Sequence, residues 1–175
     1  MFRKQILMVL GGLMVVCAGS VEGQILWIET GHHVWTDETP YHSEVFLQND
    51  ATLDVVGGAM GQLTTGGNSV ANLSGGDIMH LWTMDNSVVH YHSGELERVG
   101  ATHSGLMFLY AYDVTYYTVG GLEDRGYVEG FFYQNDEPFT FSFRNTQSWG
   151  HVEIVPEPAT VLLLGLGALL IRKRN

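Results

Sequence analysis

His90 and His92, in Val89-His90-Tyr91-His92, lie two residues apart. On a β-strand that spacing points both imidazoles to one face. Two imidazoles so placed can hold one metal ion, with His103 or His80 as a third ligand. The acids nearby follow no zinc-binding spacing, and His32-His33 stands elsewhere in the chain, so a surface or ladder role is the favoured reading. Asp77 and Glu95 are eighteen residues apart, and so are Asp85 and His103. If eighteen residues complete one coil, each pair stacks, and calcium would relieve the repulsion between the Asp77 and Glu95 carboxylates. The nine-residue Gly-Gly-x-Gly-x-Asp calcium repeat is absent. The expectation is no metal and no cofactor, with calcium as the alternative.

Catalytic chemistry finds little support. The chain has no Gly-x-Ser-x-Gly elbow, no His-Glu-x-x-His and no phosphate loop. A glycan-degrading enzyme on a β-helix needs a basic residue beside an acidic calcium cluster, or two carboxylates flanking the sugar. Between residues 24 and 155 the only basic residues are Arg98, Arg125 and Arg144, set against seventeen Asp and Glu, a balance of −14. A cationic base is hard to build from that set, and carboxylate pairs are too plentiful to single one out. The expected protein is not an enzyme. Its acidity repels nucleic acid and anionic membrane surfaces, which leaves divalent cations or neutral glycans as partners. Plain solubility is the simpler use of such a surface. The aromatics offer a stacking platform for sugars: Trp27, Trp35, Trp82 and Trp149, with Tyr110, Tyr112, Tyr116, Tyr117 and Tyr127. Tyr110, Tyr112 and Tyr116 share one face if their strand is continuous. Core filling is the competing reading.

The elements that must position these residues show in an internal repeat. Asn68-Ser69-Val70 recurs as Asn86-Ser87-Val88, and Gly58, Gly76 and Gly94 are spaced by eighteen. Met60, Ile78 and Leu96 hold one apolar position, and Leu63, Leu81 and Val99 another. A further copy is read after an insertion of about ten residues, with Leu106-Met107-Phe108-Leu109-Tyr110 echoing Ile78-Met79-His80-Leu81-Trp82 and Gly120-Gly121 resuming the paired glycines. Units this short, rich in Thr, Val, Leu, Tyr and Gly, carry no helical period. One unit cannot bury its own apolar face, but stacked units can. The fold class expected is all-β, a small parallel β-helix (solenoid) with coils of about 18 residues, clearest over 50–121; the alternative is a β-sandwich. In the solenoid, Asn68 and Asn86 form an amide ladder. Ile25-Leu26-Trp27-Ile28 and Val45-Phe46-Leu47 read as a first, degenerate coil separated by a His- and Asp-rich loop. Phe139-Thr140-Phe141-Ser142-Phe143 alternates, so one face is buried and one wet, and Asn135-Asp136-Glu137-Pro138 is a turn.

Both ends differ from this body. Residues 1–23 have the form of a secretory signal peptide: Arg3-Lys4, an apolar stretch over 6–16, then Ala18, Gly19 and Ser20. Such a segment is expected to be helical. Cys17 invites a lipoprotein reading, but Val16 sits where a small residue normally precedes the lipidated cysteine. Removal of this segment takes away the single cysteine, so no disulfide is expected in the remainder. Residues 156–175 open on Pro156-Glu157-Pro158, continue through an apolar run over 161–171 and close on Arg172-Lys173-Arg174. The prolines hold the entry extended and accessible. The run falls short of the roughly 20 residues of a full transmembrane helix, and the basic cluster after it fits a cytoplasmic end.

Val155-Pro156-Glu157-Pro158-Ala159-Thr160, with the run and basic cluster behind it, closely resembles the PEP-CTERM sorting signal of bacterial envelope proteins. The Gly-Gly and Asn-Ser-x-Val pattern resembles repeat domains found ahead of such signals. The resemblance implies recognition by an exosortase at Pro156, Glu157 and Pro158, transient membrane retention through a hydrophobic helix, and release to the cell surface or an extracellular polysaccharide (biofilm) matrix. The expectation is an exported, non-catalytic surface or matrix protein. Carbohydrate binding through exposed aromatics is the alternative, and a glycan-degrading enzyme a weaker one.

Overall fold

A computed structural model describes residues 6–8, 23–118, 126–144 and 146–156. Turn residues cut the body into short runs whose Val, Leu, Thr and Tyr suit a half-buried pleat. The strands are β1 (Ile6–Met8), β2 (Ile25–Ile28), β3 (His32–Trp35), β4 (His42–Leu47), β5 (Thr52–Val55), β6 (Ala59–Thr65), β7 (Val70–Thr83), β8 (Val88–Ala101), β9 (Leu106–Leu109), β10 (Ala111–Thr118), β11 (Gly126–Phe132), β12 (Pro138–Phe143) and β13 (Val152–Ile154). A 3-10 helix spans Thr146–His151, and no α-helix occurs among the described residues.

The strands stack in parallel as a β-solenoid of about five turns. Ladder one runs β2, β4, β6, the second half of β7, the second half of β8 and β12. Ladder two runs β3, β5, the first half of β7, the first half of β8, β9 and β13. From β6 to β9 the coil is eighteen residues long: Gln62 pairs with His80 and His80 with Arg98, while Val70 pairs with Val88 and Val88 with Leu106. Parallel pairing through both ladders sets aside the β-sandwich.

The eighteen-residue step is held at two corners. At the first, the chain turns with positive φ at Asn49, Gly67, Asp85 and His103 (55°, 66°, 56° and 60°). Each turn closes by a backbone bond, such as Ser69 N–H to the Gly66 carbonyl and Ser87 N–H to Met84. Small residues must close it, because the position points inward: Ala51, Ser69 and Ser87 are fully buried. At the second corner Gly58, Gly76 and Gly94 take φ of 75°, 81° and 112°. A β-carbon at Gly76 would stand 3.0 Å from the Gly57 and Gly58 carbonyl oxygens of the coil before it. The glycine spacing therefore marks a corner where only glycine fits.

Inward positions make continuous apolar columns. Leu26, Val45, Leu63, Leu81, Val99 and Phe143 form one on ladder one. Trp35, Val55, Leu73, Tyr91 and Leu109 form another on ladder two. A polar thread runs beside the first corner: the Ser87 hydroxyl donates to the Met84 carbonyl at 2.7 Å and shares a 2.8 Å bond with Thr65 Oγ1. The amide ladder forms on the outside of the same turn, with Asn86 donating to Asn68 at 3.4 Å and Asn68 to Asp50 at 3.2 Å.

The structure departs from the sequence pattern at several places. Of residues 1–22, Ile6–Met8 are described, and they form a strand rather than part of a helix. They lie parallel to β2, supplying backbone partners that the outer edge of the first coil otherwise lacks. The expected C-terminal helix lies outside the described residues, and no described helix is long and apolar enough to cross a membrane. The His-rich segment between β2 and β4 is itself strand β3, so those two strands belong to successive coils, with Trp27 beside Phe46. Leu106–Leu109 follows Val88–Tyr91 on ladder two without an insertion, rather than echoing Ile78–Trp82. The alternation of β12 holds, with Phe139, Phe141 and Phe143 buried. Gly120-Gly121 lies outside the described residues.

After Ala111 the chain leaves the solenoid. β10, β11 and β12 form an antiparallel meander whose last strand rejoins ladder one beside β8. The 3-10 helix then crosses the end of the last coil, with the Ala101 N–H donating to the Ser148 hydroxyl at 3.1 Å. β13 completes ladder two against β9.

Candidate functional site

The outward face of ladder two carries the row Val34, Asp54, Asn72, His90, Phe108 and Glu153, one residue per coil. Its first half is polar. The Asn72 amide donates to Asp54 at 2.7 Å, and His32 Nε2 lies 2.7 Å from the other Asp54 oxygen. The Asn72 hydrogen bond, helped by His32, holds the Asp54 carboxyl below its ordinary pKa, against burial pushing the other way.

Its second half is aromatic. His90 stacks on Phe108 at 5.3 Å between ring centres, and its Nδ1 lies 3.0 Å from the Tyr110 hydroxyl. His92 stacks on the Tyr110 ring at 3.9 Å. The two imidazoles therefore converge on one tyrosine. Burial lowers the pKa of both, and His90 adds to the effect at His92, which keeps the pair neutral near pH 7. Beside them the Tyr133 N–H donates to the Tyr110 carbonyl, and Tyr112 stacks between Phe131 at 5.6 Å and Tyr133 at 5.4 Å. Phe131 is 39% exposed. The Tyr112 hydroxyl donates to Asp136 at 3.0 Å. The result is a row of ring faces interspersed with phenol and neutral imidazole groups, able to offer both stacking and hydrogen bonds.

The other expected site residues are dispersed. His80 lies on ladder one and His103 in a first-corner turn. Asp85 accepts a bond from the Gly67 N–H of the preceding coil, a turn role. Asp77 and Glu95 are register partners on the exposed second corner. Among the described residues no group of three or more His, Cys, Asp or Glu is placed to hold a metal ion.

The aromatics divide as well. Trp35 is buried in the core, Trp27 stacks on Phe46 on ladder one, and Trp149 stacks on Tyr116. Tyr110, Tyr112 and Tyr116 do not share a face. The pairing of β10 with β11 shifts between Tyr112 and Thr115, at Asp113 with φ of 51°. This bulge turns Tyr116 toward Phe143 and the core while Tyr112 stays outside with Phe131. Phe108, Phe131 and Tyr133 were not foreseen as members of the row. For Phe108 the signal was present, since it follows His90 by eighteen residues. Phe131 and Tyr133 arrive through the meander, which no spacing announces.

The last strand leads directly into the sorting segment. Val155 donates its N–H to the Leu109 carbonyl, and Pro156 is exposed immediately after it. Glu157, Pro158, Arg172, Lys173 and Arg174 lie outside the described residues. Residues 155–174 match the PEP-CTERM protein-sorting motif. The comparisons with curated proteins and with solved structures returned no significant match. The chain thus combines a β-solenoid body with a sorting motif of the kind recognised by exosortase, which indicates export and sorting to the cell surface.

Proposed function

We propose that this is a non-catalytic surface protein, exported by its signal peptide, held briefly in the membrane by its C-terminal run, cut by an exosortase and released into extracellular polysaccharide. The sorting motif over 155–174 carries this reading. The exposed position of Pro156, right after β13, supports it by leaving the Pro-Glu-Pro entry clear of the folded coils. Mass spectrometry of protein recovered from the surface and medium of the native host tests it. The expected C-terminus lies near Pro156–Pro158. An intact Arg172-Lys173-Arg174 end would make the protein a lasting membrane resident instead.

The aromatic row favours a second, compatible reading, in which the body holds neutral glycan chains along ladder two. The row, exposed at Phe131 and held in place by Tyr110 and Tyr112, would supply the stacking contact, and neutral His90 and His92 would bond hydroxyls. Tyr110→Ala and Tyr112→Ala are expected to weaken binding of neutral oligosaccharides roughly three- to tenfold each, read by calorimetry. Release of new reducing ends during the same incubation would overturn the non-catalytic assignment.

A further inference from the structure

The other outward face, on ladder one, carries a shallow depression lined by Gln62, His80, Trp82, Arg98, Gly100 and Arg144. Register builds it. Gln62, His80 and Arg98 occupy one outward position on successive coils, and Trp82 and Gly100 occupy another. Arg144 follows Phe143, the partner of Val99, and its N–H donates to the Val99 carbonyl, which brings it to the end of the same face. Gly100 makes room for the indole: a β-carbon there would stand 2.6 Å from Trp82 Cε3 and Cζ3. The Arg144 guanidinium lies 4.9 Å from the Trp82 ring centre.

The charge of this spot runs against the rest of the body. Seventeen acids face three arginines between residues 24 and 155, yet Arg98 and Arg144, the only Arg or Lys among the described residues of that body, share one depression. Among the described residues the one ion pair is His32 with Asp54, and neither arginine has a described carboxylate within 4.0 Å. Glu97, next to Arg98 in the chain, is exposed and unpaired with it. In so acidic a body, two arginines gathered at one place without an acid partner among the described residues suit an acid supplied from outside. Charge beyond roughly 8 Å is largely screened at physiological salt; the near acids are Glu97, the chain neighbour of Arg98, and Glu44, which pairs with Gln62 at the far end of the row.

We infer that this depression binds the carboxylate of a sugar acid within an acidic polysaccharide. Guanidinium forks match a carboxylate in two-point geometry. His80 and Gln62 stand one and two coils away along the same row to bond ring hydroxyls, and the Trp82 indole, packed on Gly100, holds the Arg144 guanidinium over the depression. The shallow, mostly polar lining suits a saccharide better than a peptide, whose apolar side chains would find no pocket. The site is independent of the aromatic row on ladder two and of any neutral glycan bound there.

Calorimetric titration of the full chain with a short oligogalacturonate tests the inference, beside its neutral oligogalactose counterpart, an oligoglutamate peptide and sodium sulfate. The acidic sugar is expected to bind at least about tenfold more tightly than the other three. Arg98→Gln and Arg144→Gln should each weaken it roughly ten- to hundredfold, with far-UV circular dichroism unchanged, and Arg144→Lys should recover only part of the loss. Equal affinity for the neutral sugar, or wild-type affinity in both glutamine variants, would overturn the site. Equal affinity for oligoglutamate or sulfate would overturn the sugar assignment.

Discussion

The regular coils and the C-terminal cap solve the same burial problem by different means. Between β6 and β9 each residue meets its own counterpart one coil away: Leu63 over Leu81 over Val99, Asn68 over Asn86, Gly58 before Gly76 before Gly94. Such a stack draws its stability from nearest-neighbour interfaces. The meander and 3-10 helix have no such counterpart. They hold by unlike aromatics in three dimensions, with Phe141 against Tyr91, Phe139 and Phe143, and Tyr116 flat on Trp149 at 4.9 Å. Repetition makes the coils tolerant of variation that keeps the ladder, whereas the cap depends on individual large side chains.

The hardest test of this contrast is Phe141→Ala, which empties a buried ring site in the cap. A loss of about 3–5 kcal/mol is expected, measured by chemical denaturation. Hydrogen exchange should show the greatest loosening in β12 and β8, fading toward β4; a uniform change along the stack would contradict nearest-neighbour coupling. Next comes Gly76→Ala at the second corner, where positive φ and the two carbonyl oxygens at 3.0 Å resist a side chain. It is expected to cost roughly 2 kcal/mol, and a neutral result would mean that the corner can shift without disturbing the coil before it. Ser87→Ala removes a fully buried hydroxyl with two partners and is expected to cost about 1–2 kcal/mol.

A smaller effect should follow pH on the ladder-two face. His90 and His92 have folded pKa values below the ordinary 6.5. The unfolded chain therefore takes up protons first as pH falls, so stability is full above about 6.5 and declines below it. Denaturation midpoints at pH 7.5 and 5.5 should differ in that direction, and His92→Phe should reduce the difference; an unchanged difference would detach the effect from this pair. Smallest of all is Asn68→Ala on the exposed amide ladder, expected within about 0.5 kcal/mol. A much larger loss there would show that the outer ladder, rather than the buried columns, holds the coils together.

Much of this is legible in the amino-acid sequence. Gly58, Gly76 and Gly94 mark a corner because a positive φ under a neighbouring backbone excludes other residues, and that constraint writes itself into spacing. Spacing failed at Leu106–Leu109, where apolar runs on ladder one and ladder two look alike, and only pairing with Val88–Tyr91 tells which column continues. It failed again at Tyr116, because a bulge at Asp113 flips the face of everything after it.

The sequence by itself determined the stacked β architecture, its eighteen-residue coil and the sorting segment at 155–174, since each is a local or periodic property that the chain states in order. Tertiary structure alone decided which rings face solvent, and that Arg98 and Arg144 line one depression, with Arg144 over Trp82. Those two arginines are separated by a meander that breaks the period, and a contact made by folding back leaves no mark in spacing.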